Sequence, residues 1–578
     1  MLKVIFDNLG EYKKYAVLSP FFVLLEVLMN AAIPFFMTKI IDQGILINSS
    51  DNIIKYGIIL LIVAAISLAT GIISGYLATK ASSGLAKNMR GSMFDNITDF
   101  SFENMDKFKS GSLITRMTTD VQTVQMAFQM TIRMAIRSPL TLIFCFIMSF
   151  KLSRDLAPTF VIIIPLISIG MGLIIKGAYP IFEKVFRITD KLNTDVSENL
   201  SAIRVVKSFV KEDKEIEKFN TISDELQDNY IKASKLLAFS NPLMNFSTYL
   251  MTILIAWLGA HFIVAGTMTT GALTGLVTYA IQIQISLMML SMILVQITIA
   301  RNSIRRINEV IATNPSIVSP KNPIKEIKNG EIIFDDVYFS YSGYLDKSVL
   351  KNINLKINSG DYVGMIGPTG SGKTTLISLI ARLFDPSKGS VYVGGENVLN
   401  YDLKSLRKDV SVVLQKNQLF TGTLRENLKW AGEDLSDEKL KEALYIASCD
   451  DFIDPEKDLD MPVQRGGTNF SGGQRQRISI ARSILKDPKI LIMDDSTSAL
   501  DNKTEEKIID SLNKLRPDMT KILISQKIKS LKNTDYTVVL DVGEIESIGT
   551  HEELINKSPI YREINETQES DGDFDAKE

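Results

Sequence analysis

Six separate runs of apolar residues, at about 16–41, 56–79, 129–150, 157–178, 237–265 and 271–300, fill about half of the first 300 positions. Each is long enough to cross ~30 Å of hydrocarbon as a helix, which takes about 20 residues. The first run is no cleavable signal peptide: it is too long, it lacks a small-residue cleavage site, and five further runs follow it.

Charge orients these spans. Residues 80–127, between spans two and three, carry six Lys/Arg, and residues 180–235, between spans four and five, carry ten. The three opposite loops carry only Lys55, Lys151 and Arg154. Positive charge collects on the cytoplasmic side, so both long loops and both termini are expected there. In those loops apolar residues such as Ile97, Phe100, Phe102, Met105 and Phe108 alternate with charge, and Ile203–Val210 does the same. That spacing predicts helices continuing well below the membrane.

Within the spans, Glu26 is a carboxylate deep in an apolar run. A membrane carboxylate is either functional or paired with a neighbouring helix, and both readings stay open. Met288, Met289 and Met292 in span six are either the lining of a pliable pocket or ordinary packing. His261 falls at an outer helix end.

Composition removes several other classes. With 64 Lys+Arg against 66 Asp+Glu, the net charge of −2 lacks the basic excess of a nucleic-acid binder. Cys145 and Cys449 are too few for a disulfide framework or a cysteine-built zinc site. His261 and His551 leave little room for a His-ligated metal or a His-based triad.

After Arg301–Arg306 the hydropathy drops, and Pro315, Pro320 and Pro323 mark a linker at about 313–328. Residues 1–312 are therefore expected to form a transmembrane domain and 329–567 a second domain, with a disordered acidic tail at 568–578. In the second domain short β-branched runs alternate with helical ones, the pattern of an α/β fold with a largely parallel sheet. Gly367-Pro368-Thr369-Gly370-Ser371-Gly372-Lys373-Thr374 matches G-x-x-x-x-G-K-[ST], between an apolar strand at Tyr362–Ile366 and a helix opening at Thr375. Its glycines let backbone N–H groups close on phosphates at a helix N-terminus. Lys373 reaches the β/γ-phosphates and Thr374 offers a hydroxyl to Mg²⁺. A second apolar strand, Lys489–Met493, ends in Asp494, the carboxylate expected to hold Mg²⁺ through its coordination shell.

Ser471-Gly472-Gly473-Gln474, followed by Arg475–Arg482, then gives the chain a specific likeness. It resembles the ATP-binding cassette superfamily, and six spans joined to one cassette resemble a half-transporter of the type IV exporter class. The likeness implies ATP and Mg²⁺ as cofactors. It makes Tyr341 the adenine-stacking aromatic, Gln415 the Q-loop residue that shares the Mg²⁺ with Thr374 and Asp494, and Ser498–Asp501 the D-loop. By the same likeness Thr423–Asn427 touches the membrane helices, and the loop tips near 101–115 and 203–215 become coupling helices. Ser471, Gly472 and Gly473 would present N–H groups and a hydroxyl to ATP held by an opposite cassette, which implies a dimer.

Two positions depart from the family pattern. The family's catalytic Glu, directly after the Walker B Asp, is here Asp495, one methylene and so about 1 Å shorter in reach. A misplacement of about 1 Å can cost on the order of 10²-fold in rate. The family's switch His is here Gln526, which bonds to phosphate but carries no titratable proton. His551 lies in a separate C-terminal helical segment and does not replace it. Together they resemble the degenerate-site subunit of a bacterial heterodimeric multidrug exporter, with the competent Glu and His on a second half-transporter; a homodimer with two slow sites is the plainer reading.

The expectation is an ATP-hydrolysing, multi-pass protein of a bacterial plasma membrane that exports amphipathic compounds. The alternatives are lipid or peptide export, or an ATP-gated regulatory module of the same architecture.

Overall fold

The computed structural model describes residues 2–495 and 499–575. The chain divides into two compact units, Met1–Thr98 with Lys109–Thr313, and Asp99–Phe108 with Asn314–Glu578.

The first unit is helical. In chain order run α1 (Leu2–Leu9), α2 (Lys13–Ile40) and α3 (Ser50–Asp99), then α4 (Phe102–Phe108), which belongs to the second unit, and α5 (Ser110–Thr115). After these come α6 (Val121–Leu152), α7 (Pro158–Ser201), α8 (Ile203–Ser208), α9 (Glu212–Ala238), α10 (Ser240–Val264) and α11 (Thr270–Ala312). Among the described residues, six helical stretches are long and apolar enough to cross a membrane. The 50 residues of α3 extend about 75 Å at 1.5 Å per residue, more than twice the ~30 Å of hydrocarbon. The amphipathic loops of the sequence are thus the lower turns of the spanning helices. The fifth expected span breaks once, between α9 and α10 at Phe239.

Small residues let these helices approach closely, the packing that replaces hydrophobic drive inside a bilayer. Along the α2–α11 seam a Cβ at Gly275 would meet Thr38 Oγ1 at 2.7 Å, and Tyr279 donates its hydroxyl to the Ala31 carbonyl at 2.6 Å. Lower down, Asp120 is buried and accepts from Ser303 Oγ at 2.8 Å and Arg306 Nε at 2.7 Å, tying the start of α6 to α11. Facing the other way, large apolar side chains of α3 such as Leu61, Leu68 and Ile72 stand exposed.

The second unit is built on three sheets. Its strands are β1 (Ile332–Phe339), β2 (Leu350–Ile357), β3 (Tyr362–Ile366), β4 (Lys388–Val393), β5 (Glu396–Asn397) and β6 (Val410–Val413). They continue as β7 (Gly422–Thr423), β8 (Pro462–Val463), β9 (Ile490–Asp494), β10 (Thr520–Ile524), β11 (Tyr536–Asp541) and β12 (Glu544–Gly549). The main sheet has the order β12-β11-β3-β10-β9-β6, parallel except for β12, beside a β2-β1-β4-β5 sheet and a β7–β8 pair. Strands β3, β9 and β10 are buried at every residue, so apart from Thr520, Lys521 and the terminal Asp494 they read as short apolar runs in the sequence.

Helix α4, the tip of the first long loop, packs within this second unit. Phe102 lies 6.1 Å from Phe384 between ring centroids, and Asn104 Oδ1 accepts from Ser316 N at 3.0 Å. The tip of the second loop, α8, buries none of its residues. The C-terminal helix, Pro559–Asp575, continues into the stretch expected to be disordered as far as Asp575, from an anchor at the fully buried Tyr561; residues 576–578 lie outside the described residues.

Gly84 marks the tightest approach in the first unit: a Cβ there would overlap the Tyr12 ring, which seats the N-terminal segment on α3. Gly84→Ala is expected to destabilise by about 1–3 kcal/mol through overpacking, read as a lower midpoint of thermal unfolding in detergent. Adding Tyr12→Ala should recover most of that loss.

Candidate nucleotide site

The phosphate loop joins the end of β3 to helix α12 (Lys373–Ile380). Gly372, the N-cap, takes φ +101°, a left-handed conformation that side chains with a Cβ rarely adopt. Gly367 is required for a different reason, since a Cβ there would overlap the Leu540 carbonyl of β11. Thr369, Gly370, Gly372, Lys373, Thr374 and Thr375 line a cavity of about 260 Å³. Its opposite wall is Gln415, Asp494, Asp495 and Gln526, with Val349 and Ile524 closing the apolar side.

The site is wired by short polar contacts. Lys373 Nζ donates to the carbonyls of Gly367 at 2.7 Å and Pro368 at 2.9 Å, and to Ser371 Oγ at 3.3 Å. Thr374 Oγ1 donates to Asp494 Oδ2 at 3.0 Å, so the hydroxyl and carboxylate expected to share Mg²⁺ do meet. These are hard oxygen donors, few in number, as suits an ion that keeps waters and phosphate oxygens in its shell. Gln415 Nε2 donates to Asp495 Oδ2 at 3.1 Å. Asp495 itself turns the chain at φ +47°, a conformation Asp tolerates, with its N–H bonded to the Ile524 carbonyl at 3.0 Å.

Burial sets the charges. It raises the Asp494 carboxyl above the ordinary carboxylate range, with Asp495 adding to the effect and Thr374 and Lys373 opposing it. Burial also lowers the Lys373 ammonium, against the pull of Asp494 and Asp495. Both groups are less solvated than on a surface, and an anionic ligand with a divalent cation compensates both.

Tyr341, just past β1, is exposed, packs edge-on to Phe339 and Phe384, and holds its hydroxyl 3.0 Å from that of Thr375. It therefore stands at the rim of the loop. Ser471–Gln474 are not among the residues lining the cavity. Ser471 caps the helix Gly472–Ile484, accepting from Gln474 N at 3.3 Å while Gln474 Oε1 accepts from Ser471 N at 2.8 Å. A Cβ at Gly473 would press on the Ala499 carbonyl at 2.7 Å, so signature and D-loop segments lie in contact. Of the expected D-loop, Ser498 lies outside the described residues, while Asp501 caps the following helix through Thr504 N at 3.1 Å.

One neighbour had no sequence signal. Gln568, on the C-terminal helix, donates to the Gln526 carbonyl at 2.6 Å and accepts from Ile528 N at 2.9 Å. The pairing spans 42 residues, and nothing in the local sequence announces it. His551 is held elsewhere, its Nδ1 2.8 Å from the Tyr561 hydroxyl.

Comparison with known proteins agrees with this geometry. Residues 16–287 match the ABC transporter transmembrane region and residues 350–498 the ABC transporter domain. The chain is 31% identical over 561 residues to the ABC transporter ATP-binding protein YfiB of Bacillus subtilis, covering 97% of each chain. It is 30% identical over 573 residues to the ABC transporter ATP-binding protein Rv1273c of Mycobacterium tuberculosis, covering 98% of each. The solved structure of a bacterial Atm1-family ABC exporter with ATP bound superposes with a TM-score of 0.80 at 22% identity, over 97% of this chain and 99% of that one. With six spanning helices joined to one ATP-binding cassette, the chain belongs to the ABC transporter family and has the fold of a half-transporter.

Proposed function

We propose that this chain is one half of a heterodimeric exporter that moves amphipathic compounds of the multidrug type out of the cytoplasm, and that the ATP site on its own Walker motifs is the slow one. The observation that carries the proposal is a complete phosphate loop facing an acid one methylene short. Asp495 lines the cavity and its carboxylate is bonded to Gln415, while the switch position holds Gln526. The likeness to an Atm1-family exporter supports export as the direction.

In this reading Lys373 and the loop N–H groups bind the ATP phosphates, and Tyr341 stacks on the adenine. Thr374, Gln415 and Asp494 are the residues that hold Mg²⁺, which supplies charge neutralisation at the phosphates when bound. Asp495, short of the attacking water, orients it poorly, and Gln526 donates a hydrogen bond without carrying charge. Ser471–Gln474 serve ATP bound to the partner half-transporter, whose Glu and His perform the main hydrolysis. Closure of the two cassettes shifts the spans from inward-facing to outward-facing, and hydrolysis resets them. The protein is placed in the bacterial plasma membrane with both termini cytoplasmic, with no role for nucleic acid.

Three variants test this. In the two-chain complex, Asp495→Asn should leave most steady-state ATPase activity, whereas near-total loss contradicts the slow-site assignment. Asp495→Glu with Gln526→His should raise turnover at this chain's site by about 10-fold or more, since roughly 1 Å of placement is restored. Lys373→Ala should weaken fluorescent-ATP binding to this cassette by at least about 10-fold, as a charge-assisted contact to phosphate is lost.

A further inference from the structure

The membrane unit holds a polar cavity that the nucleotide site does not explain. It measures about 650 Å³ and lies between α2, α3 and α6, lined by Glu26, Asn30, Tyr76, Thr79, Arg133 and Arg137 among others. Arg137 Nη1 pairs with Glu26 Oε1 at 2.9 Å, and the Glu26 side chain is only 7% exposed. That pair answers the question left by the lone membrane carboxylate: Glu26 has a partner on the neighbouring helix.

It does not answer for Arg133. Among the described residues Arg133 has no ion-pair partner, and its Nε is buried without a hydrogen bond. Two guanidiniums against one carboxylate leave the lining with one uncompensated positive charge. Charged side chains in a spanning segment almost always pair or face a cavity that serves a function. Room for them is built in: a Cβ at Gly71 would sit 3.3 Å from Glu26 Oε1, and one at Gly75 3.3 Å from Arg133 Nη1. These two glycines lie one turn apart on α3 and open its wall where the charges stand.

The remaining walls set the shape of a ligand. Leu68 and Ile72 continue the lining and are 66% and 64% exposed, which gives the site an apolar part beside the charged one. Lys80, one turn below Tyr76, is spent on aromatic faces, 4.6 Å from the Tyr15 ring centroid and 5.7 Å from that of Tyr76. Arg133 and Arg137 lie about 18 and 24 Å along α6 from Val121, one and two turns inside the apolar run that begins near 129.

The geometry points to a binding site for the anionic head group, carboxylate or phosphate, of a single-chain amphiphile, with Arg133 as its principal ligand and Leu68 and Ile72 as the bed of its tail. A guanidinium without an ion-pair partner suits such a group because it offers several donors in one plane. Whether the occupant is cargo rests on the export reading; the site itself does not.

The test uses the full chain in nanodiscs of phosphatidylcholine alone, with radiolabelled dodecyl phosphate as the probe. Saturable binding is expected, displaced by dodecanoate and not by dodecyltrimethylammonium. Arg133→Gln should weaken it at least 10-fold and Arg133→Lys less, at a protein concentration normalised by ATP binding to the cassette. Equal displacement by the cation in the unaltered chain, or equal affinity in Arg133→Gln, overturns the site; the first of these needs no variant to fold. ATP-driven uptake of the probe into inverted vesicles identifies cargo, and binding without uptake identifies a resident lipid, both in keeping with the site. Binding intact while every compound tried fails to be transported counts against the export reading and not against Arg133.

Discussion

Hydrocarbon offers no partner to a backbone N–H or C=O, and this one constraint orders the first unit. Each spanning segment must satisfy itself, so each is a helix, and helices this long carry the fold well beyond the membrane. Because lipid is as apolar as leucine, burial cannot hold the bundle together. Close approach and polar contacts do so instead: Gly275 against Thr38, Tyr279 onto the Ala31 carbonyl, Asp120 with Ser303 and Arg306. The same scarcity of partners makes an unpaired Arg133 conspicuous where a surface arginine would mean nothing.

The cassette answers the opposite problem, how to hold polyanionic phosphate in a partly dry site. Backbone N–H groups at the start of α12 face the loop, and only glycines allow the chain to turn there and to lie against β11. Burial then tunes Lys373 downwards and Asp494 upwards, and a bound nucleotide with its cation opposes both shifts. Binding and hydrolysis are separable in this arrangement. The first needs the loop, and the second needs a carboxylate at the right distance from water. Asp495 lines the wall of the cavity, and on the proposed reading it stops a methylene short of the attacking water.

Much of this was legible in the sequence because the signals are local. Apolar runs of spanning length, a glycine-spaced loop between strand and helix, and a strand ending in Asp494 each announce themselves within one contiguous segment, about 20 residues for a span. The contacts across the fold were not legible. Arg133 and Arg137 sit inside the third apolar run, where two charges scarcely dent its hydropathy, and their meaning comes only from α2 and α3 standing beside them. The link from Gln568 to Gln526 is likewise a product of topology. The signature segment was found by its motif, and the likeness already pointed it at an opposite cassette; what three dimensions add is its contact with Ala499, beside the helix that Ser471 caps.

The central claim is that hydrolysis belongs to the partner's Walker site and ATP retention to this one. Trapping the two-chain complex with vanadate during turnover of 8-azido-ATP, then washing and irradiating, reads this directly, because the label retained is the diphosphate left where hydrolysis has occurred. The label should fall on the partner chain. Label on this chain, beside the adenine position at Tyr341, would contradict the account.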